Sequence, residues 1–193
     1  FGYIIGLPMG IVLTVTDKDG IRPNAAVYKV LDVISNLLRS IPFIILLIVL
    51  IPFTRFVVGR SYGSTATIVP LTIAAAPYIA RMVESSLKEV DAGVIEAARS
   101  MGASDFQIVT KVMLVEARTS LIVGATISLG TILGYSAMAG TVGGGGLGDI
   151  AIRYGYTRWQ TDIMVVTVVL LVILFQIFQT IGMKIANRLD RRK

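Results

Sequence analysis

Glu96-Ala97-Ala98-Arg99-Ser100-Met101-Gly102 lies in a polar segment between long apolar runs, and it is the most distinctive stretch of the chain. Of the 193 residues, 54% are hydrophobic and 16% are charged, whereas about a quarter of the residues in a typical soluble domain are charged. This composition predicts an integral membrane protein in which the polar segment faces water. The chain contains no Cys and no His, which excludes disulfides, thiolate metal sites and a histidine general base.

Apolar runs close to the length that a membrane helix needs, about 20 residues, recur along the chain. They predict a single all-α transmembrane domain, 1–193, with five spans. The chain begins at Phe1 inside an apolar run, so we expect the first span, 1–16, to be truncated. The other spans are predicted at 25–53, 65–83, 120–139 and 162–183.

The second span is unusual because only 41–53 is apolar throughout. We predict one long helix over 25–53, bent near Pro42. The polar face of its first part is interpreted as a solvated helix start, and a wet cavity lined by charge is the alternative. That face carries Lys29, Asp32, Asn36 and Arg39 at helical spacing.

Glycine patterns mark two further places. Gly130 and Gly134 form a GxxxG pattern in the fourth span, which predicts close helix packing. The run Gly143–Gly146 can adopt positive φ and is interpreted as a flexible turn or a gate-lining loop. A phosphate-binding loop is disfavoured because the Lys-Ser/Thr ending of a Walker loop is missing.

The distribution of basic residues predicts the orientation in the membrane. With five spans, fourteen of the 18 Lys and Arg residues fall on one side, among them those of the tail 184–193. The positive-inside rule places that side in the cytoplasm and the N-terminus outside. The cations cluster beside apolar runs, so nucleic acid is not a predicted partner. The opposite side carries Arg55, Arg60, Arg153 and Arg158.

The segment of about 88–117, which we call the coupling loop, reads as helix, glycine turn and helix. Asp91 is a predicted N-cap for a helix over 92–101, and Gly102 suits the position after it. Ser104 and Gln107 fit a capping box that starts the next helix. The first helix has an apolar stripe that could enter a partner's groove, lie on the membrane or pack on its own bundle. The stripe consists of Val94, Ala97, Ala98 and Met101.

The motif Glu96-Ala97-Ala98, three residues and then Gly102 resembles the loop by which ABC-transporter permeases dock onto their ATP-hydrolysing subunit. The resemblance implies that Glu96, Ala97, Ala98, Met101 and Gly102, called here the coupling residues, contact that subunit. In the usual pattern an Ile-x-Leu-Pro follows. Here Val112-Met113-Leu114-Val115 stands in its place, and the departure at Val115 concerns the bend before the fourth span.

Further segments are similar to the methionine-importer permeases, a family of type I ABC importers, over almost the whole chain. The resemblance implies a five-helix permease bundle that works as a homodimer in the bacterial inner membrane. It also implies two ATP-binding subunits and an external methionine-binding lipoprotein. ATP and Mg would act at the partner, with no cofactor on this chain. The segments are Arg39–Phe43, Pro70–Ala75, Gly134–Gly140, Gly146–Asp149 and Arg153–Tyr156.

Candidates for the translocation pathway come from the outer end of the fourth span. Met138 could form an apolar gate, since a thioether repacks easily, or it could be an ordinary core methionine. Tyr135 and Ser136 are weaker candidates, and Tyr135 could instead lie in the aromatic belt at the membrane interface. We call these three the gate candidates. No catalytic residue or metal ligand is predicted.

The predicted function is ATP-driven import of methionine, L- and D-, by alternating access. A permease of the same type for another amino acid or small solute is the close alternative. A membrane enzyme would need a catalytic cluster, and the chain offers neither His nor Cys nor converging acids in an apolar span. A channel has only the polar stripe of the second span in its favour.

Overall fold

The computed structural model describes residues 1–189, and within that range the chain is helical with no strand. The last predicted cations of the tail, Arg191, Arg192 and Lys193, lie outside the described residues. The α-helices in chain order are α1 Gly2–Thr16, α2 Ala25–Ser40, α3 Phe43–Val49, α4 Ile51–Val58, α5 Ser64–Lys88, α6 Ala92–Ser100, α7 Asp105–Gln107, α8 Leu114–Glu116, α9 Arg118–Ala139, α10 Gly146–Ile150 and α11 Thr161–Leu189. Wider π turns follow α7 over Ile108–Met113 and α10 over Ala151–Tyr156, and Gly140–Val142 is a 3₁₀ turn.

Three of these helices, α5, α9 and α11, are long and apolar enough to cross a membrane, judged over the described residues. A fourth span results if α2 and α3 are counted as one broken span, and α1 is a shorter apolar helix. Helices therefore occupy all five predicted regions, while the number of complete spans stays a prediction. The centre of the bundle is α5, because half of its apolar window is buried, against 11% for α9 and 6% for α11.

The prediction of one long, bent second helix is wrong. α2 and α3 meet at an angle of 104°, and α4 is a further separate helix. Pro42 lacks a main-chain N–H donor, and Ile41 before it is extended, with φ −83° and ψ 124°, as a residue preceding proline prefers. Pro52 stands in the first turn of α4, where proline starts a helix readily.

Close packing between α1 and α5 holds the centre of the fold together. A Cβ at Gly6 would lie 2.7 Å from the carbonyl oxygen of Ala76, and one at Gly10 would lie 2.5 Å from that of Ala80. These glycines have GxxxG spacing, as small residues at membrane-helix contacts often do. The GxxxG pattern that the sequence analysis identifies lies in the fourth span instead.

In that fourth helix, α9, the two glycines behave differently. A Cβ at Gly130 would lie 2.5 Å from Cε2 of Phe175 on α11, whereas one at Gly134 would meet no atom within 4 Å. The predicted close packing is therefore confirmed at Gly130 and absent at Gly134 within the described chain.

Candidate functional site

The coupling loop has the predicted sequence of helix, glycine turn and helix. The Asp91 carboxylate accepts a hydrogen bond of 2.8 Å from the main-chain N–H of Gly93 and caps α6. Gly102 follows α6 with φ +80°, a conformation that glycine adopts without strain. The capping box is present as well, since the side chains of Ser104 and Gln107 bond each other's main-chain N–H groups.

The apolar stripe of α6 divides between two environments. Ala98 is 5% exposed and belongs to the protein's own core, together with Ile108, Val109 and Met113. The other four coupling residues, Glu96, Ala97, Met101 and Gly102, are exposed. A helix this short can present one face to the bundle and another outward, so Ala98 anchors α6 while the rest of the set is accessible.

Phe106 is a prominent feature of this loop that the sequence analysis does not single out. It is 77% exposed, on the far side of the Gly102 turn from Met101, which is 81% exposed. Two large apolar side chains are therefore exposed on this short loop. The sequence signal that could have pointed to Phe106 is an aromatic residue in the first turn of the short helix α7.

The coupling loop is also tied to the loop between α1 and α2. The Arg99 guanidinium donates a hydrogen bond of 2.9 Å to the carbonyl oxygen of Ile21. An open cavity of about 580 Å³ lies between the two loops, lined in part by Asp17, Lys88, Glu96 and Arg99. Before α9 the chain breaks at Ala117, with φ −79° and ψ 0°, although Val115 stands where proline is usual.

Charged side chains at the same end of the bundle form one connected network. We call Asp17, Asp32, Arg81, Glu84 and Lys88 the charge network. Arg81 lies between Asp32, with which it forms an ion pair, and Glu84 at 2.7 Å. Lys88 lies between Glu84 at 2.9 Å and Asp17 at 2.6 Å. The network thereby joins the end of α1, the polar face of α2 and the last two turns of α5.

The polar stripe of α2 is divided between solvent and α5. Lys29, Asn36 and Arg39 are exposed, as the interpretation as a solvated helix start expects, but Asp32 is partly buried and, together with Asn36, binds Arg81 of α5. The Arg81 side chain is only 16% exposed and requires acceptors from its neighbours. The opposite, apolar face of α2 is exposed, with Val30 at 58% and Leu37 at 62%.

The charge network also shifts the pKa of Asp17, which follows α1. The pKa of the Asp17 carboxyl lies below its usual value, chiefly because Lys88 donates a hydrogen bond to it, and partial burial opposes the shift. A carboxylate with such a partner favours its charged form.

The three gate candidates lie in two different environments. Met138 is 49% exposed and Ser136 is exposed as well. Tyr135 instead stacks on Phe43 of α3, with ring centroids 4.6 Å apart, so its ring is packed inside the chain. The adjoining glycine run forms a turn, as expected, because Gly143, Gly145 and Gly146 all have positive φ.

Residues 6–193 match the model of the family described as the inner membrane component of binding-protein-dependent transport systems. The chain belongs to this family. The members are transport subunits, so the chain is a permease and not an enzyme.

Relatives in this permease family have methionine transport in their names. A probable D-methionine transport system permease protein of Vibrio cholerae is 50% identical over 99% of this chain and 85% of its own length. Its counterpart in Pasteurella multocida is 47% identical over the whole of this chain and 88% of its own length.

Solved structures agree with this assignment. A chain of the MetNI methionine ABC transporter, in an inward-facing conformation, matches with a TM-score of 0.97 and 52% identity, over 98% of this chain and 88% of that one. A chain of an amino acid ABC transporter matches with a TM-score of 0.74 at 20% identity, over 97% of this chain and 86% of that one, which shows a shared fold alone. The permease therefore has the all-α fold of a type I importer.

Proposed function

We propose that this chain is the membrane-spanning subunit of an ATP-driven importer that moves methionine, L- and D-, across the bacterial inner membrane. The observation that carries the proposal is the likeness, over nearly the whole chain, to a subunit of a solved methionine transporter. Substrate and assembly are transferred on that likeness. A permease of the same type for another amino acid is the alternative, since the described residues show no built substrate site that would choose between them.

The coupling residues are proposed to dock onto an ATP-binding subunit. Exposure of Glu96, Ala97, Met101 and Gly102 supports this, and we add Phe106 to the surface because it is exposed on the same loop. Ala98, buried in the core, would hold α6 on the bundle rather than touch the partner. Because α6 is anchored in this way, a partner that displaces α6 would also displace the bundle, as a coupling element must.

The proposed assembly contains two copies of this chain, two ATP-binding subunits and an external methionine-binding lipoprotein. ATP and Mg act at the partner subunit. The N-terminus is proposed to lie outside and the C-terminus in the cytoplasm, supported by the strong imbalance of Lys and Arg between the two sides. Large exposed apolar surface on α11 suits contact with lipid.

The gate candidates are proposed to line the pathway near the outer end of α9. Met138 and Ser136 are exposed in the single chain, as residues near a dimer axis would be. Tyr135 would act indirectly, since its ring is stacked on Phe43.

Uptake of radiolabelled methionine by the reconstituted complex tests the function. The permease is co-expressed with its ATP-binding partner, purified and placed in liposomes with the external binding protein. We expect methionine uptake to require ATP and to be faster than the uptake of other amino acids. Equal uptake of an unrelated amino acid would reject methionine as the substrate, and failure to co-purify with the ATP-binding subunit would reject the proposed assembly.

A further inference from the structure

α2 is attached to the bundle through its polar face. Asp32 and Asn36 bind Arg81 of α5, and the Tyr28 hydroxyl donates to Glu84 over 3.3 Å. On the other side Val30, Val33 and Leu37 are all more than half exposed within the described chain. The charge network thus supplies the polar attachment of α2 to α5, beside the packing of Ser35 and Leu38.

Glu84 is the centre of that attachment. Its side chain is 6% exposed and accepts hydrogen bonds from Arg81, Lys88 and Tyr28. Through Arg81 it reaches α2, and through Lys88 it reaches Asp17 at the end of α1. A buried carboxylate with several charged donors holds them in defined positions, and without it Arg81 would keep only its partners on α2 and Lys88 only Asp17.

The same end of α5 is joined to the coupling loop. Lys88 is the last residue of α5, and α6 begins at Ala92. Leu87, 1% exposed, belongs to the same buried cluster as Ala98 of α6. α6 is therefore connected to the charge network by the chain that joins it to α5 and by side-chain packing against α5.

From α2 the contacts continue toward the gate candidates. The chain turns sharply at Ile41 and Pro42 into α3, whose Phe43 stacks on Tyr135 of α9. Tyr135 precedes Met138 by one helical turn. Contacts of described residues thus run from the coupling loop, through Glu84 and α2, to the outer half of α9.

We infer that Glu84 is a positioning residue for transport: it makes α2, and with it α3, follow the coupling loop when the ATP-binding partner moves. The inference rests on the proposed function, since it presumes a partner that drives the loop. Contacts in space alone do not establish such coupling, so the test must separate uptake from ATP hydrolysis and from folding.

The test compares Glu84→Gln and Asp32→Asn with the control Asp162→Asn. Asp162 is an exposed acid in the first turn of α11, outside the coupling loop, and it takes part in no ion pair among the described residues. Each variant is purified with its ATP-binding partner and reconstituted, and methionine uptake per ATP hydrolysed is measured. We expect methionine uptake per ATP hydrolysed to fall about tenfold in the two network variants, the order expected from the free energy of one hydrogen bond to a charged group. The control should keep the wild-type ratio. The double variant should have about the same uptake per ATP hydrolysed as the more impaired single variant, as expected when both residues belong to one network.

A second readout follows α2 directly. The chain contains no Cys, so spin labels can be attached at Lys29→Cys on α2 and Ser100→Cys on α6, both exposed, with unlabelled permease in excess. In wild type we expect one narrow distance distribution with and without ATP. In Glu84→Gln and Asp32→Asn it should broaden.

Unchanged uptake per ATP together with a narrow distribution in both network variants would overturn the inference. A wild-type complex that takes up no methionine would instead reject the proposed function, and the label distances would still report whether α2 follows α6. Asp32→Asn leaves Glu84 with all three donors, so it keeps the inference testable if Glu84→Gln does not fold.

Discussion

Phe43 of α3 stacks on Tyr135 of α9, with ring centroids 4.6 Å apart and ring planes inclined by only 10°. This pair joins the helix that follows the sharp break at Pro42 to the helix that carries the gate candidates. It also explains why Tyr135 is partly buried although it lies near the outer end of an apolar helix. Phe43 belongs to the smaller of two buried clusters, with Leu46, Leu47 and Ala139, and Tyr135 packs against that cluster.

Replacing Phe43 by Leu should therefore destabilise the permease, since an aromatic pair contributes about 0.5–1.5 kcal/mol beyond its buried area. The measurement is the thermal unfolding midpoint of the purified permease in detergent. Phe56→Leu is the matched control, because Phe56 is 87% exposed. Equal midpoints for the two variants would show that the stack contributes nothing.

Gly10→Ala should destabilise the contact between α1 and α5. The new Cβ would lie 2.5 Å from the Ala80 carbonyl oxygen, so the helices must separate. Overpacking of this kind costs about 1–3 kcal/mol, more than the gain of about 1 kcal/mol in helix propensity. Gly134→Ala, with open space around it, should leave stability unchanged or raise it. A Gly10→Ala variant as stable as Gly134→Ala would contradict the close approach.

Two neighbouring alanines of the coupling loop should respond differently to enlargement. Ala98→Leu should lower the stability of the permease by about 1–3 kcal/mol, since Ala98 is buried. Ala97→Leu should change stability by less than about 0.5 kcal/mol but weaken binding of the ATP-binding subunit, because Ala97 is exposed. Thermal unfolding and co-purification measure the two effects. If Ala97→Leu binds the partner as wild type does, the exposed face of α6 is not the docking surface.

Acid should remove the contribution of the pair between Asp17 and Lys88. The pKa of Asp17 is lowered in the folded chain, so its contribution to stability is complete above the unfolded value of about 3.9. It is lost as the pH falls through the lower folded pKa. Unfolding midpoints measured between about pH 5 and pH 3 should fall less steeply for Asp17→Asn than for wild type. Asp19→Asn, at a side chain 83% exposed, should keep the wild-type slope.

Local features of the coupling loop were predictable because they depend on neighbours in the chain. The Asp91 cap, the positive φ of Gly102 and the Ser104 capping box follow from side chains that bond main-chain groups within three residues. Apolar runs likewise located the helices. The sequence predicts a bend at Pro42 but not its size. The angle of 104° depends on what α2 and α3 each pack against, and the proline alone does not specify that.

By itself, the sequence determined that this is a helical membrane permease and where its caps and turns lie, since hydropathy, caps and a motif of short spacing are local properties. Only the tertiary structure decided which face of each helix is inside. It turned the polar stripe of α2 onto Arg81, directed Ala98 into the core and left Ala97 exposed. The physical reason is that burial and ion pairing join residues far apart in the chain: Asp32 and Arg81 meet across 49 positions, and no periodicity within one helix specifies its partner.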